Sequence, residues 1–163
     1  MTLPPDRRLE SDRRRQARGG RRPEDQYGFA PLVLVADDDP DVLSLVGFRL
    51  RRAGCRVLVV PDGRRALEAI ADHRPDVAVL DIGMPSPNGL EVCRIARGTS
   101  ASRELGIVFL TACTGERDVA RGIGAGADAY VKKPFAWQDL IVPIERMLER
   151  RRGTPAPASP SAA

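Results

Sequence analysis

The sequence is poor in aromatic side chains, which make up 4% of it, and it has only three cysteines and no long apolar run. Each shortage removes a class of protein. Without a stretch of about 18 apolar residues, no membrane-spanning helix is expected. The N-terminus is polar and Arg-rich and has no apolar leader core, so no secretory signal is expected. Asp6, Glu10 and Asp12 interrupt any mitochondrial-type presequence. Cys55, Cys93 and Cys113 are odd in number and scattered, with no C-x-x-C pair. That pattern suggests neither a disulfide framework nor a zinc site, and reads as free thiols in a reducing compartment. A cytoplasmic location with no membrane partner is the expectation.

What is present is enough for one folded unit. A chain of 163 residues suits a single domain with tails, and an apolar fraction of 42% is ample for a core. The net charge of +4 misleads as a whole: residues 31–149 hold 15 basic and 17 acidic side chains, whereas residues 1–30 hold 8 arginines against 5 acids. Arg150, Arg151 and Arg152 add the rest. The basicity therefore lies in the flanks. Residues 1–30 lack apolar periodicity and read as a disordered, solvated Arg-rich extension. A contact with nucleic acid through that arm is the alternative, and nucleic acid is not the expected partner. Residues 151–163, rich in Pro, Ala and Ser, read as a flexible tail.

Between the flanks, apolar runs alternate with helical periodicity. Leu32 to Ala36 is a first strand, followed by Asp37-Asp38-Asp39-Pro40. Asp39 suits a helix cap and Pro40 the first helical position. Val42, Leu43, Val46, Leu50 and Ala53 recur at helical spacing, and Gly54 stops that helix. Arg56 to Val60 is a second strand, and Gly63 to Asp72 a helix with Ala66, Leu67 and Ile70 inward. Val77 to Leu80 is a continuous apolar run, the signature of a strand buried on both faces. It ends in Asp81, and Gly83 and Pro85 then break the pattern. Leu90 to Arg97 is a helix, and Ile107 to Leu110 a strand ending at Thr111. A weak helix is expected over roughly 116–124, where interior glycines each cost about 0.5–1 kcal/mol against Ala. Ala129 to Val131 is a fifth strand, closed by Lys132-Lys133-Pro134. The last helix, from near Ala136, carries Leu140, Ile141, Ile144 and Leu148 inward and Pro143 in its interior, where periodicity on both sides favours a bend over a late start.

Five strands alternating with helices define an α/β fold with a parallel sheet and helices on both faces. Parallel strands share their carboxyl edge, where ligands bind in open sheets. Asp37-Asp38, Asp81, Thr111 and Lys133 all follow strands, so all converge there. Strand two ends in Pro61, without a chemical group, which suits an outer position. Converging carboxylates repel one another and call for a cation; Mg²⁺ suits oxygen ligands. A lysine and a hydroxyl beside metal-loaded carboxylates suggest a phosphoryl site.

ADDDP at 36–40, LDIGMP at 80–85, LTA at 110–112 and YVKKPF at 130–135 together resemble the receiver domain of two-component response regulators. The likeness covers residues 31 to about 150. It implies a doubly wound, flavodoxin-like fold with strand order 2-1-3-4-5. It further implies Asp81 as the phosphoacceptor, its carboxylate the nucleophile. Asp37, Asp38 and Asp81 with the backbone carbonyl of Gly83 would hold Mg²⁺, Asp37 largely through water. Lys133 would pair with the phosphoryl group while Lys132 faces outward. Thr111 takes the hydroxyl role, and Thr111 with Tyr130 would form the switch. Gly83 and Cys113 flank the site at positions that tune dephosphorylation in the family. His73, ending a surface helix, has no phosphotransfer role.

The implied function is a stand-alone phosphorylation switch, not an enzyme beyond its own phosphoryl chemistry. A histidine kinase or phosphotransfer protein would donate to it, and an unknown downstream protein would read it. An aspartyl-phosphate phosphatase usually needs a second Asp two residues after the first, and position 83 is Gly. A nucleotide-binding module would carry G-x-G-x-x-G after strand one, where this chain has acids.

Overall fold

The computed structural model describes residues 30–112, 120, 122 and 124–153. The Arg-rich extension up to residue 29, Cys113, most of the expected glycine-punctuated helix and the tail from 154 lie outside the described residues. Strands β1 (Leu32–Ala36), β2 (Arg56–Val60), β3 (Val77–Asp81), β4 (Gly106–Thr111) and β5 (Ala129–Lys132) alternate with helices α1 (Pro40–Arg52), α2 (Gly63–His73), α3 (Gly89–Gly98) and α4 (Trp137–Gly153). Of the segment between β4 and β5, Ala120, Gly122 and Gly124 are helical.

The strands form one five-stranded sheet in the order β2-β1-β3-β4-β5, every neighbouring pair parallel. Side chains alternate across a strand, so each apolar run serves two cores. Leu34, Ala36, Ala78, Leu80, Ile107 and Phe109 face α2 and α3, where they meet Ala66, Ile70, Val92 and Cys93. Val33, Val35, Val77, Val79, Val108 and Leu110 face α1 and α4, where they meet Val46, Leu50, Leu140 and Ile144. Burial on both faces explains why β1, β3 and β4 read as unbroken apolar runs. The less buried β2 lies at the sheet's edge, as its unadorned end at Pro61 implied.

The helix starts are fixed at the edge where the strands end. Asp39 caps α1 by accepting from the Asp41 N–H at 2.9 Å, with Pro40 in the first turn. Asp62 caps α2, and Asn88 with Glu91 forms a reciprocal capping box on α3. The inner face of α2 is shifted from expectation: Ala66, Ala69 and Ile70 are buried while Leu67 packs at the margin. Ala53 is exposed as the C-cap of α1 instead of lying on its inner face. Helix α4 does not start late at Pro143; it runs through it and on to Gly153, past the expected boundary at 150. The extension has a physical reason. Arg151 Nη1 donates to the carbonyls of Asp76 (3.2 Å) and Glu104 (3.1 Å), and its Nε lies 3.7 Å from the Asp76 carboxylate.

Gly89 shows how tightly the site-bearing strand is seated. A β-carbon there would lie 2.5 Å from the Asp81 carbonyl oxygen, so α3 can press on the end of β3 only through a glycine. Gly89→Ala should destabilise the fold by about 1–3 kcal/mol, since the clash is with backbone and no rotamer relieves it. Urea denaturation reads this directly, and an unchanged midpoint would contradict the packing described.

Candidate functional site

The site begins with the turn after β1. The Asp37 N–H bonds to the Val60 carbonyl at 3.2 Å, tying the turn to β2. The Asp37 carboxylate folds back to accept from the Asp39 N–H at 2.9 Å, leaving its second oxygen toward the sheet edge. Asp37 is fully buried and Asp81 is 5% exposed, whereas Asp38 is exposed. Ligand oxygens of Asp37, Asp38 and Asp81 lie within 4.8 Å of one another. Asp39 stays with its cap.

Lys133 reaches this cluster because its backbone is held first. Its N–H bonds to the Thr111 carbonyl at 2.7 Å, so β5 delivers the lysine one residue beyond the paired strands. Nζ lies 2.6 Å from Asp37 Oδ2 and 3.4 Å from Asp81 Oδ1. The tighter partner is thus Asp37, a contact the linear sequence does not display across 96 positions. Lys132 is exposed, as its place in the alternation requires.

The charges answer one another. Burial pushes the Asp81 carboxyl above the usual carboxylate range, and the nearby Asp37 adds to it; Lys133 and the Gly83 N–H, which donates to this carboxylate, pull the other way without cancelling the rise. Burial alone would lower the Lys133 ammonium, but its bond to Asp37 and the field of Asp81 outweigh that and raise it. Gly83 also leaves the mouth of the site open. A β-carbon there would stand 3.4 Å from Asp81 Oδ2, ordinary contact, so glycine is not forced by sterics.

Thr111 ends β4 and is buried. Tyr130 is half-buried on β5, opposite Phe109, with the two rings edge to face at 6.5 Å between centroids. Thr111, Phe109 and Tyr130 share one face of the sheet, because two-residue steps and direct partners stay on the same side. Gly122 packs on that face: a β-carbon would lie 3.2 Å from both the Phe109 and Tyr130 rings. The structure therefore brings together Asp37, Asp38, Asp81 and Lys133, with Thr111 at the neighbouring strand end and Tyr130 one pleat below.

One element at the opposite edge of the sheet was missed from the sequence. Arg97, on α3, donates to the carbonyls of Gly126 (2.8 Å), Arg103 (2.9 Å) and Leu105 (2.6 Å) and to the Asp128 carboxylate (2.9 Å). Asp128 in turn accepts from the Ile107 N–H at 2.8 Å. The buried Cys93 thiol, pushed up to about 11 mainly by burial, donates to the Ala125 carbonyl at 3.2 Å. Together these fasten residues 125–128 to α3. The only local signal was an arginine near a helix end, which is commonplace.

A doubly wound parallel sheet with buried aspartates and a lysine at its carboxyl edge defines the class. Comparison with known proteins supplies the family. The response regulator receiver domain matches residues 33–145. The DNA-binding response regulator MtrA of Mycolicibacterium smegmatis is 40% identical over 124 residues, covering 76% of this chain and 53% of that protein. Its counterpart in Mycobacterium tuberculosis is 39% identical over the same length, with 76% and 53% covered. Among solved structures, a response regulator from Chloroflexus aurantiacus superposes with a TM-score of 0.71 at 31% identity, covering 74% of this chain and 99% of that one. The chemotaxis protein CheY4 of Vibrio cholerae gives 0.68 at 30% identity, with 72% and 98% covered. The chain belongs to the response regulator receiver family, the phosphorylation-dependent switches of two-component systems. It spans about half the length of the curated relatives it matches.

The raised Asp81 carboxyl carries a consequence for stability. A carboxyl raised by folding contributes stability that is complete below its unfolded pKa and is lost as pH rises through its folded pKa. At neutral pH ionised Asp81 therefore works against the fold. Asp81→Asn should raise the urea midpoint near neutral pH, and the gain should shrink on acidification. A variant less stable than the parent at neutral pH would contradict this sign.

Proposed function

We propose that this protein receives a phosphoryl group on Asp81 from a histidine kinase or a histidine phosphotransfer protein and passes the signal on by binding another protein. The observation that carries the reading is the placement of Asp81 under Lys133 and beside Asp37 and Asp38, at the edge of the sheet. An Asp81 carboxylate oxygen attacks the phosphorus of the donor. A new P–O bond forms as the donor's bond to phosphorus breaks, and the departing group keeps its electron pair. Lys133 draws the incoming oxygens and offsets their charge, and Thr111 donates a hydrogen bond to one of them. The open mouth left by Gly83 gives the donor and water access.

The donor set fits a hard divalent cation. Carboxylate oxygens of Asp37, Asp38 and Asp81 lie within 4.8 Å of one another, and an all-oxygen donor set suits a hard ion such as Mg²⁺. Asp38 and Asp81 would hold it directly, Asp37 largely through water, and the Gly83 carbonyl would complete the protein's share. When bound, the ion supplies charge neutralisation for phosphoryl oxygens. Phosphorylation adds close to two negative charges. Thr111 and Lys133 are drawn toward them, Tyr130 follows on the same sheet face, and the altered surface is what a partner reads. No helix among the described residues is long and apolar enough to cross a membrane, which suits a switch working in the cytoplasm.

Intact-mass analysis after treatment with acetyl phosphate and Mg²⁺ tests the reading. The parent should gain one phosphoryl group and Asp81→Asn none, since an amide is not a nucleophile; incorporation at parental level in the variant would sink the assignment. Asp38→Ala should weaken Mg²⁺ binding several-fold or more while the fold survives, because the change deletes a ligand and relieves carboxylate repulsion. Identical metal titrations for the two proteins would remove Asp38 from the ligand set. Amide exchange with and without beryllofluoride should differ at residues 120–130, and equal protection in both states would rule out the route through Tyr130.

A further inference from the structure

We infer that Arg97 is a clasp that divides the segment between β4 and β5 into a part that opens and a part that does not, with the boundary between Gly124 and Ala125. Arg97 lies in the last turn of α3. Its guanidinium uses four of its five N–H groups at distances of 2.6–2.9 Å. Nε donates to the Gly126 carbonyl, Nη1 to the Arg103 and Leu105 carbonyls, and Nη2 to the Asp128 carboxylate. The grip is closed from β4. Asp128 Oδ2 accepts from the Ile107 N–H, and the Asp128 N–H donates to the Ile107 carbonyl, each at 2.8 Å. The stem of the arginine takes part as well. Gly126 has a φ of +93°, and a β-carbon there would lie 3.2 Å from Arg97 Cγ, so the chain turns beneath the side chain as glycine. Cys93 Sγ holds the Ala125 carbonyl at 3.2 Å. Ala125, Gly126 and Asp128 are therefore each tied to α3, and Asp128 to β4 besides.

The described residues before Ala125 are held less firmly. Ala120 and Gly124 are exposed, and a β-carbon at Gly124 would meet nothing within 4 Å. Gly122 is buried against the Phe109 and Tyr130 rings but brings no side chain to the contact. Its carbonyl accepts from the Ala127 N–H at 3.5 Å, the far limit of a hydrogen bond. A stretch with few buried contacts opens locally at small cost, whereas linked hydrogen bonds on a buried strand open with the whole domain. The clasp stands whether or not Asp81 is phosphorylated; its use rests on the switch proposed above. In that switch, a displacement beginning at Thr111 ends at Gly124. Strand β5 keeps its register on β4, and Lys133 keeps its place beside Asp37. Tyr130 feels the change as Gly122 leaving its ring, not as a slip of β5.

Amide exchange of the full chain, resolved residue by residue by NMR, tests this. In the parent, residues 120–124 should exchange through local opening, and the Ile107 and Asp128 amides as slowly as that of Val79 in the central strand. Arg97→Met keeps an apolar stem and removes the fork. In it the Ile107 and Asp128 amides should exchange at least about tenfold faster than Val79 in the same protein, which sets aside any general loss of stability. Arg97→Lys, with an ammonium but no fork, should resemble the Met variant. Arg94→Met, an exposed neighbour on the same helix, should leave the ratio at the parental value. With beryllofluoride the parental change should lie at 120–124 and stop before Ala125, and in Arg97→Met it should run on to Asp128. A parent in which residues 120–124 and Asp128 exchange alike would overturn the inference. So would an unaltered ratio to Val79 in both Arg97 variants, or a beryllofluoride effect that crosses Ala125 in the parent. A parental boundary at Ala125 with no beryllofluoride effect anywhere would leave the clasp standing and count against the phosphorylation reading.

Discussion

Two buried carboxylates under one ammonium are the constraint around which this domain is arranged. Asp37 is fully buried and Asp81 almost so, and Lys133 touches both. Left alone, such acids would repel each other and resist ionisation in a site shielded from water. The fold supplies partial compensation from backbone: the Asp39 N–H for Asp37 and the Gly83 N–H for Asp81. Lysine supplies the rest, and its own position depends on the Thr111 carbonyl. A parallel sheet brings these groups together because the ends of β1, β3, β4 and β5 lie side by side at one edge. The remaining cost is electrostatic, and it sits where chemistry on a carboxylate would use it.

Much of this was legible in the linear sequence. Apolar runs of four or five residues marked the central strands because those strands are buried on both faces. The acids, the threonine and the lysine stood where each run ended, and the parallel topology did the rest. Asp39-Pro40 announced the start of α1 through cap chemistry alone. The strand order came with the family likeness, and the edge position of β2 was already suggested by Pro61.

What stayed hidden was contact between residues far apart in the chain. Lys133 pairs most closely with Asp37, and nothing in either neighbourhood ranks Asp37 above Asp81 as its partner. Arg97 gathers three carbonyls from two loops, a role invisible to any periodicity. Leu67 looked like a core residue on helical spacing, yet the smaller Ala69 takes the buried place because α2 is rotated by its fit to the sheet. Arg151 was counted with a solvated flank, although its reach to the Asp76 and Glu104 carbonyls makes it part of the helix that closes the domain. Short, apolar and local features could be read early. Long-range polar pairs could not.

Asp76 has a wider importance than its single ion pair suggests. Its carboxylate accepts from the Leu32 N–H at 2.8 Å, its backbone N–H bonds to the Leu32 carbonyl at 2.8 Å, and Arg151 grips both its carbonyl and its side chain. The first strand and the last helix are therefore buttoned to the same residue. Anything attached at either end, whether a fluorophore, an affinity tag or a fused module, hangs from the underside of the sheet. It leaves the acidic rim clear. Whatever is appended there can sense a change at the acidic rim only through the body of the domain, as a load carried across the sheet.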